Sequence, residues 1–342
     1  MNRPSRREAR QGASSQMRTA AHHNRIPISA RAEHDARKRR GRGKLKTVFS
    51  VLGVLLLLVI AAGAFFYIDL HSRMTVSDVP PSLLDTPTPP PTAPFNLVIF
   101  GSDARSPSDT DLTDTIIVAR IDPIQQQIWM VSIPRDTRVE LPGYGASRLN
   151  SAYVRGGPDM AIQAVEDVTG QDMDYFITIN FWGFEEIVDA MGGIYIDVPF
   201  DINDPLADFT PDGRATHIDA GFQNLDGAHA LTFVRHRDGY ADGDFGRMRA
   251  QQQFFKALLE QMTDVPVARM PGVVDSLADN LKTNLTPLEL AIVGVGMRGA
   301  GSDSLHATTL PGEWHAPFVA IDAAGADEIW RNFGTAPFED AE

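Results

Sequence analysis

The feature that most restricts the fold of this chain is an uncharged run of 22 residues, 47–68. A run of this length suffices for an α-helix to cross a bilayer. The basic segment Lys38–Lys46 lies directly before it, which predicts a cytoplasmic N-terminus and an extracytoplasmic C-terminal part. A cleaved signal peptide is the alternative. The long preceding segment and the length of the apolar run favour a retained signal anchor.

Charge divides the chain at the same place. Residues 1–46 carry 14 Lys and Arg against 3 Asp and Glu and lack apolar periodicity, which predicts a basic, disordered tail. The remainder carries 17 basic and 41 acidic residues, so we expect no nucleic-acid partner for it. Topology and attraction to anionic lipid explain the basic tail. The chain has no cysteine, which excludes disulfides and thiolate metal sites.

Beyond the apolar run, residues 69–94 predict an extracytoplasmic linker, because 79–94 is rich in proline and therefore stiff. A globular domain is predicted at 95–338. Its apolar runs NLVIF, TIIVARI, QIWMVSI, YFITIN and IYIDV are typical of strands. Helical patterns lie between and after them, which predicts an α/β fold, a three-layer αβα sandwich. Short connections between the first three strands predict a mixed central sheet.

Cationic side chains concentrate in one stretch, FVRHRDGYADGDFGRMRAQQQF. The segment LTFVRHR has β-branched and aromatic character; if it is extended, Arg235 and Arg237 point to one side and His236 to the other. After a turn rich in Gly and Asp, Arg247 begins a helical pattern in which Gln251 shares its face. Guanidinium groups that converge near a helix start bind phosphate oxygens. A charged loop on a solvated surface is the alternative.

Further charged residues follow or precede the predicted strands. Asp103 and Arg105 follow the first strand, Asp114 precedes the second, and Arg135 and Asp136 follow the third. Loops at strand ends are the usual place for a site in an open α/β sheet. Two aspartates there suit Mg²⁺, with Mn²⁺ as a second choice, because such ions take one or two carboxylates plus phosphate oxygens. For any single aspartate, an ordinary role in a turn or helix cap is the alternative.

Seven motifs stand in order between about Phe95 and Met262. They read GSDAR, TDTIIVARI, VSIPRDT, LPGYGASRLNSAYVRGG, FITINFWGFEEIVDAMGGIYIDVP, LDGAHALTFVRHR and DGDFGRMRAQQQF. Together, these motifs resemble the LytR-CpsA-Psr family. The resemblance implies an α/β sandwich with a polyprenyl-binding tunnel, outside a bacterial cell membrane. It also implies Mg²⁺-dependent transfer of a wall glycopolymer from a polyprenyl-diphosphate carrier to peptidoglycan through a phosphodiester bond, with pyrophosphatase activity as a side reaction.

The resemblance also implies roles for individual residues at matching positions. The implied metal ligands are Asp103 and Asp114. The implied catalytic residues are Arg135, Arg235, Arg237, Asp244 and Arg247. The implied substrate-binding residues are Arg105, Arg148 and Gln251. A carboxylate is the expected general base, and Asp103 and Asp244 are both candidates.

The sequence departs from the family pattern at two positions. Leu112 and Ala250 stand where the family usually has arginine. Arg249 is not a substitute, because it lies about 200° from Arg247 around a helix and should face solvent. The losses leave two alternative functions open. One is a module that binds or hydrolyses the polyprenyl diphosphate without ligase turnover; the other is a membrane-bound transcriptional attenuator, which the family's name suggests.

Overall fold

A computed structural model describes residues 56–75, 83, 90–102, 112–204, 216–262, 264–266 and 268–338. The chain separates into two units, Met1–Phe66 and Tyr67–Glu342. The predicted basic tail, 1–46, lies outside the described residues, as do the first nine residues of the predicted anchor and half of the predicted linker.

The described residues include one helix long and apolar enough to cross a membrane, α1, Leu56–Met74. It overlaps the predicted anchor and continues beyond Ile68, the last residue of the uncharged run. In the second unit, its final turns pack on the domain. Leu70 and Met74 are buried with Ala278, and Arg73 is ion-paired with Asp275 and Asp279.

A mixed sheet of six strands forms the centre of the domain. Its strands are β1 Phe95–Ser102, β2 Thr113–Asp122, β3 Gln127–Ser132, β6 Tyr175–Asn180, β11 Leu281–Thr283 and β12 Leu305–Thr309. Their order is β11-β6-β1-β2-β3-β12. The pairs β1–β2, β2–β3 and β6–β11 are antiparallel, whereas β1–β6 and β3–β12 are parallel. The prediction of a mixed central sheet is therefore confirmed.

Helices cover both faces of this sheet. In the second unit they are α2 Ser151–Thr169, α3 Phe181–Met191, α4 Gly227–Arg235, α5 Asp244–Met262, α6 Met270–Asn280, α7 Pro287–Gly296 and α8 Ala323–Asn332. Because side chains alternate along a strand, β1 supplies both cores. Val98 and Phe100 pack with α2 and α8, while Leu97 and Ile99 pack with α7. The three-layer αβα prediction is confirmed.

In the part of the chain that the structure describes, four two-stranded sheets lie outside the central one. They are β4 Arg138–Leu141 with β5 Gly145–Arg148, β7 Ile194–Val198 with β10 Gly221–Leu225, β8 Ile202–Asn203 with β9 His217–Ile218, and β13 Gly312–His315 with β14 Phe318–Ile321. The predicted strand IYIDV is β7. It pairs with β10 and packs its alternate residues, Ile194, Ile196 and Val198, into a separate core beside α4 and α5.

One prediction of local structure is wrong. LTFVRHR is not extended, because its first five residues complete α4. Asp226 caps this helix, its side chain accepting a hydrogen bond from the backbone of His229, and a cap of this kind stabilises a helix by about 1 kcal/mol. The strand preference of the β-branched and aromatic residues is overridden, since Leu231 and Phe233 are buried in the core beside β7.

Candidate functional site

A cavity of about 640 Å³, its open mouth included, lies between the central sheet and helices α3, α4 and α5. Most of its wall is apolar. This part consists of Ile99, Ile179, Phe181, Phe184, Leu231, Val234, Phe254 and Phe255. Polar and charged side chains complete the lining, namely Asp114, Thr115, Asn180, Arg235, Arg247 and Gln251. The cavity thus offers an apolar channel together with cations and one carboxylate.

Helix α5 supplies one side of the cavity through residues at helical spacing. Arg247, Gln251 and Phe254 all line it, and residues four and seven apart lie on one helix face. Gln251 fixes this face, because its amide nitrogen donates to Thr115 Oγ1 at 3.0 Å and to the Val234 carbonyl at 3.2 Å. The predicted shared face of Arg247 and Gln251 is confirmed, and it is tied to β2 and α4.

Among the described arginines of the site, Arg247 is the most buried, with 6% of its surface exposed. Its Nη2 lies 2.9 Å from Asp244 Oδ1 and donates to the backbone carbonyl of Asp114 at 3.1 Å. Its Nε is buried and donates to no residue in the described part of the chain. Burial lowers the pKa of the Arg247 guanidinium; Asp244 opposes this shift and the positive charge of Arg135 adds to it. A buried, unpaired N–H beside other cations indicates a place for an anion.

Arg135 belongs to a series of ion pairs that begins at Asp114 on the cavity wall and ends at the half-exposed Arg148. Its Nη1 lies 2.6 Å from Asp114 Oδ1, and its Nε lies 3.8 Å from Asp136 Oδ2. Arg148, half-exposed on β5, reaches Asp136 from the other side at 3.2 Å. Burial alone lowers the pKa of Arg135, but the charge and hydrogen bond of Asp114 outweigh it and raise that pKa above its ordinary value.

The turn after β3 explains how Arg135 is placed. Thr137 donates both its backbone N–H and its hydroxyl to the carbonyl of Pro134, which closes a tight turn around Arg135. The Arg135 carbonyl in turn accepts from the backbone of Asn150. This local network holds Arg135 just beyond the carboxyl end of β3. Loops at the carboxyl ends of strands are the usual place for a site in an α/β sheet.

The segment Arg235–Arg237 begins at the last residue of α4. Arg235 lines the cavity, and its guanidinium carbon lies 4.2 Å from the centre of the Phe181 ring. His236 leaves the helix with extended backbone and is buried, its Nε2 accepting from the backbone of Gly239. Arg237 is exposed, and its charge contributes to the lowered pKa of Arg247. The three residues thus have three environments, a cavity wall, a buried turn and a charged surface near Arg247.

The structure describes the positions at which the sequence departs from the family pattern. Arg249 is confirmed to face solvent, with 58% of its side chain exposed and an ion pair to Asp242 at 2.6 Å. Ala250 is buried in the core beside α4 and β7. Leu112 is exposed at the start of β2. Asp103 and Arg105 lie outside the described residues, so the structure places neither the second predicted metal ligand nor its neighbouring arginine.

Sequence reasoning missed the contribution of α3 to the site. Phe181 and Phe184 line the cavity, and Asn180 begins the helix there, its side chain accepting from the backbone of Gly183 at 2.8 Å. The signal was present, since Asn between the strand YFITIN and an aromatic-rich helix is a typical N-cap. Only the packing of Phe184 against Phe254, with ring centres 4.9 Å apart, shows that these rings share a channel with α5.

Comparisons with known proteins agree with this arrangement. The model of the LytR_cpsA_psr family matches residues 72–331. The polyisoprenyl-teichoic acid–peptidoglycan teichoic acid transferase TagU of Bacillus mycoides (strain KBAB4) is 30% identical over 299 residues, covering 84% of this chain and 92% of that relative. The crystal structure of B. subtilis TagV is similar, with a TM-score of 0.62, 28% identity, and coverage of 71% of this chain and 96% of TagV. A structure of TagT bound to LI-WTA shares the fold, with a TM-score of 0.61, 24% identity, and coverage of 72% and 92%. Because the family model matches residues 72–331, which include the central sheet and the described arginines of the site, the chain belongs to the LytR_cpsA_psr family.

Proposed function

We propose that this protein transfers a wall glycopolymer from a polyprenyl-diphosphate carrier to peptidoglycan, forming a phosphodiester bond. One observation carries the proposal: an apolar cavity whose lining also includes Arg235, Arg247 and Asp114. A polyprenyl diphosphate has the same division, with an apolar tail joined to an anionic head. The family relationship and the names of relatives such as TagU support the same reaction.

The diphosphate is the group that the arginines suit. Arginine presents a planar fork of N–H donors that matches phosphate oxygens, and charge-assisted contacts of this kind are about twice as strong as neutral ones. Arg247 already has a buried Nε without a described partner. Arg235 lines the same cavity, while Arg135 and Arg237 lie close enough for their charges to affect the pKa of Arg247. These four arginines would stabilise the charge that develops on the leaving polyprenyl phosphate.

The apolar wall suits the polyprenyl tail. Phe181 and Phe184 from α3 and Phe254 and Phe255 from α5 all line the cavity, and Phe184 packs against Phe254. Transfer of a hydrocarbon chain from water to such a wall gains roughly 25 cal/mol for each Å² of apolar surface removed from water. The rings of this channel therefore support a lipid, rather than a soluble nucleotide diphosphate, as the ligand.

We also propose that Mg²⁺ takes part, held by Asp114 and Asp103. Asp114 fits this role, because it places a partly buried carboxylate on the cavity wall beside the arginines. In the described part of the chain, no group of three or more His, Asp or Glu residues gathers as metal ligands; Mg²⁺ needs only one or two carboxylates when phosphate oxygens and water complete its shell. When bound, such an ion neutralises charge on the phosphate oxygens.

The reaction needs positioning and charge stabilisation rather than a covalent enzyme intermediate. A peptidoglycan hydroxyl attacks the phosphorus that carries the glycan. The new O–P bond forms, the bond to the polyprenyl phosphate breaks, and the hydroxyl proton passes to a carboxylate. Asp244 and Asp103 are our candidates for this base. Asp244 is partly buried and ion-paired with Arg247, so its carboxylate lies beside the arginine proposed to bind the diphosphate.

The same proposal places the domain outside the cell. Helix α1 anchors the protein as a single-pass span, with the basic tail in the cytoplasm and residues 69–342 on the outer side. The composition and length of α1 support a membrane span, and the basic run before it supports this orientation. Both substrates, the lipid-linked glycan and the wall, are then available on the side where the domain lies.

Reconstitution tests the function directly. The full-length protein in lipid vesicles is incubated with lipid-linked glycan, peptidoglycan oligomers and Mg²⁺, and the products are identified by mass spectrometry. We expect a glycan joined to peptidoglycan through one phosphate, and loss of this product in EDTA. Free glycan phosphate without any joined product would instead support diphosphate hydrolysis and overturn the ligase proposal. Joined product at full rate in EDTA would overturn the metal part alone.

A further inference from the structure

Helix α7 has an unusual composition for its surroundings. Its sequence, PLELAIVGVG, contains one charged residue, Glu289, and the structure buries only Pro287. Glu289 is engaged within the helix end, since its carboxylate accepts from the backbone of Thr286 at 2.8 Å. An α-helix that is apolar all round is normally enclosed by protein or by lipid. Four of its ten residues, Leu288, Ala291, Gly294 and Val295, are nevertheless exposed in the described structure.

The exposed half forms a stripe. Leu288, Ala291 and Val295 are exposed, with 59% and 71% of Leu288 and Val295 accessible. Residues three and seven apart lie on one face of a helix, so the three side chains are neighbours. Ile124 adds to them. It is 71% exposed in the turn between β2 and β3, and this turn is fastened to the end of α7 by Gln126, whose amide donates to the Gly296 carbonyl at 2.9 Å.

The opposite half of α7 packs against the central sheet. Leu290 and Val293 contact the cluster of Phe95, Leu97, Tyr175 and Leu285, which Ile99 also joins. Ile99 is itself part of the cavity wall. Helix α7 is therefore a single layer whose inner face meets the sheet surface that also lines the cavity, and whose outer face is exposed.

The neighbourhood of α1 identifies what covers that outer face. Leu290 packs against the cluster of Leu70, Met74 and Ala278, so α7 lies directly beside the last turns of α1. Among the described residues, α1 is the helix long and apolar enough to cross a membrane. An exposed apolar stripe next to the point where a membrane anchor joins its domain lies within reach of the bilayer. Arg298, exposed just after α7, is a residue type that favours the lipid headgroup region.

We propose that the outer face of α7, with Ile124, rests on the lipid bilayer, and that the polyprenyl tail passes from the bilayer beside this helix to the cavity. The bilayer contact is supported by the packing of α7 beside α1, whereas the tail route rests on the proposed function. The helix holds the domain against the membrane, so that a carrier reaches the channel without exposing its tail to water.

Fluorescence quenching tests the membrane contact independently of catalysis. Because the chain has no cysteine, Leu288→Cys and Val295→Cys each give full-length protein with one site for an environment-sensitive label. Trp314→Cys is the matched control, since Trp314 is 59% exposed, as is Leu288, but lies in the hairpin of β13 and β14. In vesicles, we expect lipid-borne nitroxide to quench labels at 288 and 295 several-fold more strongly than at 314, and aqueous iodide to show the reverse order.

Two outcomes would overturn the contact. Equal access of iodide to all three labels would show that α7 faces water. Protection of 288 and 295 from both quenchers, with energy transfer between labelled copies, would show that a second copy of the chain covers the stripe. The tail route is tested with Leu288→Ser/Val295→Ser. We expect several-fold slower transfer from a long-chain carrier in vesicles, and unchanged transfer from a water-soluble short-chain analogue. If the double substitution changes the rate by the same factor with both carriers, the route is overturned. The wild-type rate reports separately on the proposed function.

Discussion

Arg135 Nη1 lies 2.6 Å from Asp114 Oδ1, so an arginine proposed for phosphate and a carboxylate proposed for a metal are held against each other. Each neutralises the other when no ligand is bound. A phosphate that approaches Arg135 and a cation that approaches Asp114 must therefore replace the same contact. Binding of either ligand would break the ion pair between Arg135 and Asp114 and free the other residue. Binding of the phosphate and binding of the cation should therefore favour each other.

The first prediction concerns Asp114. Asp114→Asn keeps the shape of the side chain but removes the charge that holds a cation. We expect transfer to fall by about 100-fold or more, the size typical for loss of a group that stabilises charge in the transition state. Isothermal titration should also show weaker Mg²⁺ binding in the presence of diphosphate. Asp327→Asn, on the exposed surface of α8, is the control. Wild-type titration and turnover in Asp114→Asn would contradict the metal assignment.

The second prediction separates a buried arginine from its exposed neighbour on the same helix. Arg247→Ala leaves the partly buried Asp244 without the ion pair it makes at 2.9 Å, and breaking a buried pair in this way costs about 3 kcal/mol. Arg249→Ala removes an exposed ion pair and should stay within about 0.5 kcal/mol. Denaturant unfolding measures both. Equal stability of the two variants would show that Arg247 is not a structural member of the site.

The third prediction concerns the cation on the cavity wall. Arg235→Ala should raise KM for lipid diphosphate by about tenfold or more, because a charge-assisted hydrogen bond is worth about 1.5–3 kcal/mol. Arg235→Lys should recover little of this loss, since an ammonium group lacks the planar fork and the stacking on Phe181. Arg237→Ala should also weaken binding.

His236→Ala is the control for this segment. Its ring accepts from Gly239 in a buried turn, so stability should fall while kcat persists. Turnover by Arg235→Ala that matches wild type across a range of lipid concentrations would remove the residue from the site.

The fourth prediction is a pH dependence of stability. Burial raises the pKa of Glu166 above 4.5, although the backbone of Met173 donates to its carboxylate at 2.8 Å and opposes the shift. Folded protein then binds this proton more tightly than unfolded protein, so the free energy of unfolding rises as pH falls from above the folded pKa towards 4.5.

Glu166→Gln keeps an oxygen for Met173 and cannot ionise. Relative to wild type, it should be more stable at neutral pH and lose that advantage on acidification. Glu328→Gln, exposed on α8, should show no such crossover. Parallel unfolding curves for wild type and Glu166→Gln at every pH would contradict the assignment.

The fifth prediction concerns topology. If the basic tail is cytoplasmic, protease added to intact protoplasts should digest the domain that begins after α1 and leave an N-terminal tag protected. Disruption of the membrane should expose the tag. Complete protection of the domain before disruption would place it inside the cell and contradict its access to the wall.

The central sheet was predictable to the extent that its strands are long. β1, β2, β3 and β6 carry runs of apolar residues that only a doubly covered sheet can bury. The edge strands β11 and β12 were missed. Leu281–Thr283 has three residues, too few to show any period. Leu305–Thr309 is only half-buried at four of its five positions, so its composition does not separate it from a loop.

The charged residues of the candidate site were predictable from the sequence, but the cavity that they line was not. The spacing of Arg247 and Gln251 shows that they share a helix face, and burial of that face follows from no local signal. Whether Phe254 belongs to a solid core or to a channel depends on what α3 places opposite it. The ring of Phe184 packs on Phe254 without closing the cavity, and such a contact between distant segments has no counterpart in a single stretch of sequence.

Helix α5 presents Arg247, Gln251 and Phe254 to one cavity. Hydrogen bonds from Gln251 join this helix to β2 and α4. A rigid helix rises 1.5 Å per residue, so the guanidinium and the aromatic ring are set about 10 Å apart along its axis. If the cavity binds the carrier as proposed, this fixed spacing corresponds to the first isoprene units after the diphosphate. Carriers should then be distinguished by the shape of that short stretch more than by the full length of the tail.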